Sequence, residues 1–158
     1  MFETISLGSL AESLKLHQEG DRHLISLVGG GGKTTLLHAL GNQLLGRTVL
    51  TTTTKMGSDQ SNGLRTLIKP DADEIRSIQH QETVMIWEKI AGQKAIGLEK
   101  QICDQWFSHV DHMVVEADGS RRKPFKAPAD YEPVIPSKTT MMISVIGAAA
   151  LGRVIADQ

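Results

Sequence analysis

The apolar positions along this chain fall into two alternating periods. "HLISLV" (residues 23–28) is a short apolar run with β-branched members and reads as a buried strand. After four glycines, Leu36, Leu37, Leu40 and Leu44 recur at helical spacing, and Gly46 supplies the stop. "RTVLTTTT" is rich in β-branched residues that suit a pleated surface and predicts the next strand. "HMVVEAD" is an apolar strand running into carboxylates, and "TMMISVIG" is a last strand with Met141 and Met142 in its core. Between these lie helical segments. "SLAE" at residues 9–12 reads as a capping box opening a helix to about residue 16. "DADEIRSIQH" follows Pro70 with acids in its first turn, and residues 99–107 form another helix. "ETVMIWEKI" and "QKAIGLE" would pair as a hairpin across Ala91 and Gly92. Residues 57–63 and 118–136 read as loops, the second stiffened by three prolines before Pro136, and "AAALGRVIADQ" as a helix interrupted at Gly152. Strand and helix alternate, so the expected class is α/β: three layers around a mainly parallel sheet, with a P-loop NTPase-like core in one domain over residues 1–158.

Composition narrows the function classes. Residues of hydrophobic type make up 40% and charged ones 22%, as in an ordinary globular protein. With 17 basic against 18 acidic residues, no global field argues for nucleic acid or a membrane surface, so any anion site must be local. Aromatic residues are 4%, and no stacking platform for single strands is visible. The one cysteine, Cys103, forms no disulfide within the chain and reads as a core residue. No signal peptide precedes residue 20 and no apolar stretch reaches the ~18 residues of a membrane span, so a reducing cytoplasm is expected.

The sharpest local feature is "LVGGGGKTTLL". A buried strand ends, glycines follow, and a helix opens with Lys-Thr, which is the setting of a phosphate-binding loop. The common pattern G-x-x-x-x-G-K-S/T is not met, because Leu27 stands where its first glycine belongs. A shorter pattern, G-x-x-G-K-S/T, fits Gly29, Gly32, Lys33 and Thr34, and resembles the loop of ATP-dependent Mur-type ligases. Gly29, Gly30, Gly31 and Gly32 let the backbone wrap an anion, and the helix start at Lys33, Thr34 and Thr35 points free N–H groups at it. Lys33 would reach the β- and γ-phosphates, and the Thr34 hydroxyl would ligate Mg²⁺. A plain glycine turn has no need of Lys-Thr directly behind it.

Three further segments supply partners. The hydroxyl of Thr53 or Thr54, with Lys55, would contact phosphate or a metal-bound water at a strand's carboxyl end. Glu116 and Asp118 end an apolar strand in the manner of a Walker B segment, where unpaired charge is costly unless a metal or cation meets it. Glu116 is the expected metal-linked acid and Asp118 a second acid aligning water or substrate. Arg121, Arg122, Lys123 and Lys126 follow at once, a cation cluster suited to nucleotide phosphates or an anionic substrate. His109 and His112, with Asp111 between, are too few for a structural zinc site and read as surface or strand-entry residues.

In this order, "LVGGGGKTTLL", "VLTTTTKM", "VVEADGSRRKPFKAPADYEPVIP" and "VIGAAALG" resemble the YqeC-like family of selenium-dependent hydroxylase accessory proteins. The resemblance covers about residues 10–152, and its acid-to-proline block is the specific part. It implies nucleotide binding at residues 29–34 and weight on Thr53, Lys55, Glu116, Asp118 and residues 121–126. It also implies a molybdenum hydroxylase, or its molybdopterin-type cofactor, as partner. Family members continue well past "VIGAAALG", whereas this chain stops at Gln158, so it is expected to be a shortened member or to lack its last part.

Two readings follow for function. One is a Mg²⁺-dependent enzyme acting on ATP or another nucleoside triphosphate, either an NTPase or a ligase or kinase with an anionic substrate. In it Lys33, Glu116 and Asp118 are the catalytic groups. The other is a nucleotide-gated scaffold or chaperone for molybdenum-cofactor delivery without turnover. A regulatory GTPase fits less well, since no N-K-x-D segment is present.

Overall fold

A computed structural model of the protein describes residues 4–18, 20–119 and 123–152. Its frame is a six-stranded sheet of β1 (His23–Gly29), β2 (Thr48–Thr52), β4 (Arg65–Ile68), β5 (Thr83–Trp87), β8 (His112–Glu116) and β9 (Met141–Val145). The order is β4-β5-β2-β8-β1-β9, and every pairing is parallel. A three-stranded antiparallel sheet, β3 (Lys55–Gly57), β7 (Lys94–Ile96) and β6 (Lys89–Ala91), stands beside it.

Alternation along each strand divides the core into two layers. Ile25, Leu27, Leu50, Met85 and Val114 face α1 (Leu10–Ser13) and α2 (Lys33–Gly41), whose Leu37 and Leu40 are fully buried. Leu24, Val49, Val84, Ile86, Met113 and Val115 face α3 (Ala72–Arg76) and α4 (Lys100–Trp106), which bury Ile75, Cys103 and Trp106. Helices on both faces of a parallel sheet make the three-layer α/β fold the sequence predicts.

Several local expectations change. The capping box forms at Asp71 and Glu74, where Asp71 Oδ1 accepts from the Asp73 and Glu74 amides and Glu74 Oε2 accepts from the Asp71 amide. Ser9 makes no side-chain cap, and α1 ends at Ser13. The apolar run of residues 82–90 does not pair as one strand: Thr83–Trp87 joins the large sheet, and the hairpin links β6 and β7 and turns at residues 92–93, one residue later than expected. The loop expected over residues 57–63 contains a 3₁₀ turn at Ser58–Ser61. Met142 is 58% exposed rather than core, because β9 is an edge strand and no described element covers that face; Met141 packs inward. Beyond β9 only a 3₁₀ turn, Ala148–Ala150, is described, so the rest of the predicted terminal helix lies outside the described residues, as do Arg121 and Arg122. Among the described residues, no helix is long and apolar enough to cross a membrane.

Candidate active site at the β1 loop

β1 ends at Gly29, and three more glycines carry the chain to the first turn of α2. The glycines do two different jobs. A Cβ on Gly29 would stand 2.3 Å from the Val145 carbonyl oxygen, one on Gly30 2.5 Å from that of Lys123, and one on Gly31 2.5 Å from Gly147 Cα. These three let the loop lie directly on the exit of β9 and on residues 123–125. The Gly30 amide donates to Val145 O at 2.8 Å, and the Gly147 amide donates to Pro124 O at 2.7 Å. Gly32, at φ +110°, has nothing within 4 Å of where a Cβ would be and borders the open cleft.

Lys33, the first residue of α2, is buried to 2% exposure. Its ammonium donates to Gly29 O at 2.6 Å and lies 2.9 Å from Asp118 Oδ1 and 3.9 Å from Glu116 Oε1. The Asp118 contact is an ion pair rather than an aligned hydrogen bond, so Oδ1 is a buried oxygen with unused acceptor capacity. The other Asp118 oxygen accepts from the Gly29 amide at 2.8 Å, tying the acid to the loop. Thr34 Oγ1 donates to Glu116 Oε2 at 2.8 Å. Burial pushes the Glu116 carboxyl above its ordinary range, with the Asp118 charge adding to this; the Thr34 hydrogen bond and the Lys33 charge oppose it.

Glu116 is fixed through its backbone, since its carbonyl accepts from Thr52 Oγ1 at 2.8 Å and from the Thr53 amide at 3.1 Å. β8 lies between β1 and β2, so the Thr53–Lys55 segment is one strand further from the glycine loop than simple adjacency would place it. Thr53 Oγ1 donates to Val134 O at 2.7 Å, and this hydroxyl pins the proline-rich loop. Lys126 pairs with Glu132 and donates to Gly119 O at 2.8 Å, closing that loop on itself. Nothing local in the sequence marks Glu132 as the partner of Lys126.

Gly32, Lys33, Thr34, Thr35 and Glu116 open into a cleft of ≈1530 Å³ whose far wall carries Lys55 and Lys94. Thr34 and Glu116 make a two-ligand set of hard oxygens, which suits Mg²⁺ when phosphate and water supply the remaining positions. Among the described residues no group of three or more His, Cys, Asp and Glu side chains makes a metal site. His112 Nε2 donates to Leu45 O (2.9 Å) and its ring stacks on His23, so His112 is a strand-entry residue at the start of β8, and His109 lies beside Trp106. Cys103 is buried, and burial pushes its thiol up to about 12, which leaves it inert.

The comparisons with known proteins agree with this picture at the level of family. The chain is 33% identical over 147 residues to the Escherichia coli K12 protein described as "Uncharacterized protein YqeC". That alignment covers 85% of this chain and 56% of the relative, so the chain spans little more than half the relative's length. No solved structure matches it. Residues 25–158, from the third residue of β1 through the glycine loop and both acids, match the model of the YqeC protein family, and the chain belongs to that family.

Proposed function

We propose that this protein binds a Mg²⁺–nucleoside triphosphate at the β1 loop and hydrolyses it, in support of the maturation of selenium-dependent molybdenum hydroxylases. The observation that carries the nucleotide reading is the joint placement of Gly32, Lys33, Thr34 and Glu116 at one end of the sheet, on one open cleft. Ligands of open α/β sheets sit at the carboxyl ends of the strands, where this loop lies. The α2 N-terminus and the loop amides would cradle the phosphates, and Lys33 would turn from the Gly29 carbonyl toward them. Thr34 and Glu116 would hold Mg²⁺, which when bound neutralises charge that builds up between the β- and γ-phosphates. Asp118 would keep Lys33 and the Gly29 amide in register. The role in hydroxylase maturation is what the family resemblance adds.

A ligase or kinase reading is the second one, favoured by a cleft larger than the ~300–1,000 Å³ of a usual single-ligand site.

Thermal shift with ATP, GTP and CTP, each with and without Mg²⁺, tests the binding step. A ligand at ~100 times its Kd stabilises by about 2.7 kcal/mol. A Mg²⁺-dependent shift that disappears in Lys33→Ala and in the milder Thr34→Ala is expected. Unchanged nucleotide affinity in both variants would refute the assignment. Phosphate release with and without a molybdenum hydroxylase then separates an enzyme from a scaffold, because turnover without any partner contradicts the scaffold.

A further inference from the structure

We infer that the wall formed by β3 and β7 is a second anion subsite, built to hold the phosphate monoester of a small molecule opposite the glycine loop. The inference rests on the reading of that loop as a nucleotide site and adds a second ligand to it.

The register makes the wall. Lys55 pairs with Ile96 and Gly57 with Lys94, so residues 55, 57, 94 and 96 share one face of the antiparallel sheet. Met56 and Ala95 point the other way and are buried, at 3% and 0% exposure. Lys55, Lys94 and Ile96 all line the cleft, with Ser58 and Gln93 beside them as neutral donors. Two ammonium groups therefore face the same space from adjacent strands. Among the described residues, neither is in an ion pair. Of the described acids lining the cleft, Glu116 is engaged by Thr34 and Lys33, and Glu132 by Lys126. Asp59 remains, and it leaves the wall with two cations against one anion. Like charges held together on a fixed frame favour a multivalent anion between them.

The frame is fixed. The Gly97 amide donates to Thr54 O and the Leu98 amide to Thr52 O, both at 2.8 Å, which binds the end of β7 to the exit of β2. The approach is so close that a Cβ on Gly97 would stand 1.9 Å from Thr52 O. Position follows from the sheet order. Crossing from β1 through β8 to β2, one meets the glycine loop, then Glu116, then the segment that leads to Lys55. The terminal phosphate of a nucleotide held by Lys33, Thr34 and Glu116 would face this wall. A cleft of ≈1530 Å³ leaves room for a second ligand there.

The test is isothermal titration of inorganic phosphate into the wild-type protein, Lys94→Gln and Lys55→Gln/Lys94→Gln. Each is run with and without saturating Mg²⁺ and a non-hydrolysable ATP analogue. Phosphate is expected to bind with the analogue in place and to bind roughly tenfold more weakly in Lys94→Gln, which is about the loss of one charge-assisted hydrogen bond. The analogue's own affinity should change less than about twofold in Lys94→Gln, as only short-range contacts survive salt screening. Phosphate binding that is excluded by the analogue, or retained unchanged in the double variant, overturns the subsite. Acetate bound as tightly as phosphate overturns the monoester assignment. If the analogue does not bind at all, the nucleotide reading fails by itself; the subsite then stands or falls on whether the double variant loses phosphate.

Discussion

Replacing Lys33 with methionine tests the central electrostatic arrangement of the site. Methionine keeps much of the length and removes the charge. In the native protein the ammonium is 2% exposed, bonded to Gly29 O and set between two carboxylates at 2.9 and 3.9 Å. Removing one partner of a buried ion pair costs ~3–5 kcal/mol, because the remaining charge is left uncompensated. At pH 7 the variant should therefore lose about 3 kcal/mol or more, a large fraction of a typical domain's stability.

The loss should depend on pH with a definite sign. Burial already pushes the Glu116 carboxyl up, and Lys33 is one of the two groups pulling it back. Without Lys33 the folded-state value rises further, so between the unfolded value, near 4.3, and this raised value the folded state binds more protons than the unfolded one. A raised carboxyl contributes its stability in full below the unfolded value and loses it as pH climbs through the folded one. The variant's deficit against wild type should thus be smallest near pH 5 and grow toward pH 8, by about 1.4 kcal/mol for each unit of added rise. Urea unfolding read by the fluorescence of the buried Trp87 and Trp106 at several pH values measures this directly. The double variant Lys33→Met/Glu116→Gln should lose the pH dependence. A deficit below ~1 kcal/mol at pH 7, within the range of an exposed ion pair, or one that does not vary with pH, would refute the arrangement.

Three further outcomes follow from the same geometry. Glu116→Gln keeps an acceptor for Thr34 and removes a carboxylate whose burial is unfavourable, so its stability should stay within ~1 kcal/mol of wild type while the Mg²⁺-dependent part of any nucleotide shift is lost, as thermal shift with Mg²⁺ or EDTA would show. Gly31→Ala should unfold the protein more readily than Gly32→Ala: both glycines have positive φ, which costs a side chain ~1–3 kcal/mol, but only the Gly31 Cβ meets backbone, at 2.5 Å, and urea midpoints compare the two. Burial lowers the His112 imidazole below its ordinary value, so its contribution to stability is present above about pH 6.5 and is lost as pH falls; His112→Gln should flatten the stability profile between pH 7 and pH 5.

Local periodicity made β1, the glycine loop, α2 and β8 legible in the sequence, because each is a single run whose burial follows from its own residues. β4 was missed: "RTLI" is four residues long and half-exposed at the sheet edge, with too little pattern to read. The run of residues 82–90 hides a change of sheet. Glu88 breaks it by donating its amide to Ile96 O, and nothing before that contact shows that Trp87 belongs to one sheet and Lys89 to another. The site divides the same way. Lys33, Thr34, Glu116 and Asp118 announced themselves by type and position. Lys94 and Glu132 did not, since their significance comes from cross-strand register and from a partner six residues away in a loop.

The loop's short spacing has a structural reason. A longer phosphate loop surrounds its anion with its own backbone. Here the first three glycines press against Val145, Lys123 and Gly147, so the floor under the loop is made by β9 and the proline-rich segment. Two residues between Gly29 and Gly32 then suffice, because neighbouring backbone holds the loop in place. Gly29 and Gly31 take their positive φ in this packing, and Gly31 and Gly32 both line the cleft, with open space where a Cβ on Gly32 would stand. Pro124 and Gly147 are therefore structural supports of the glycine loop, and so of the phosphate site proposed there, although neither carries a charge. Three of the four segments that carry the family resemblance meet here: the glycine loop lies on the stretch beyond β8 and on the exit of β9.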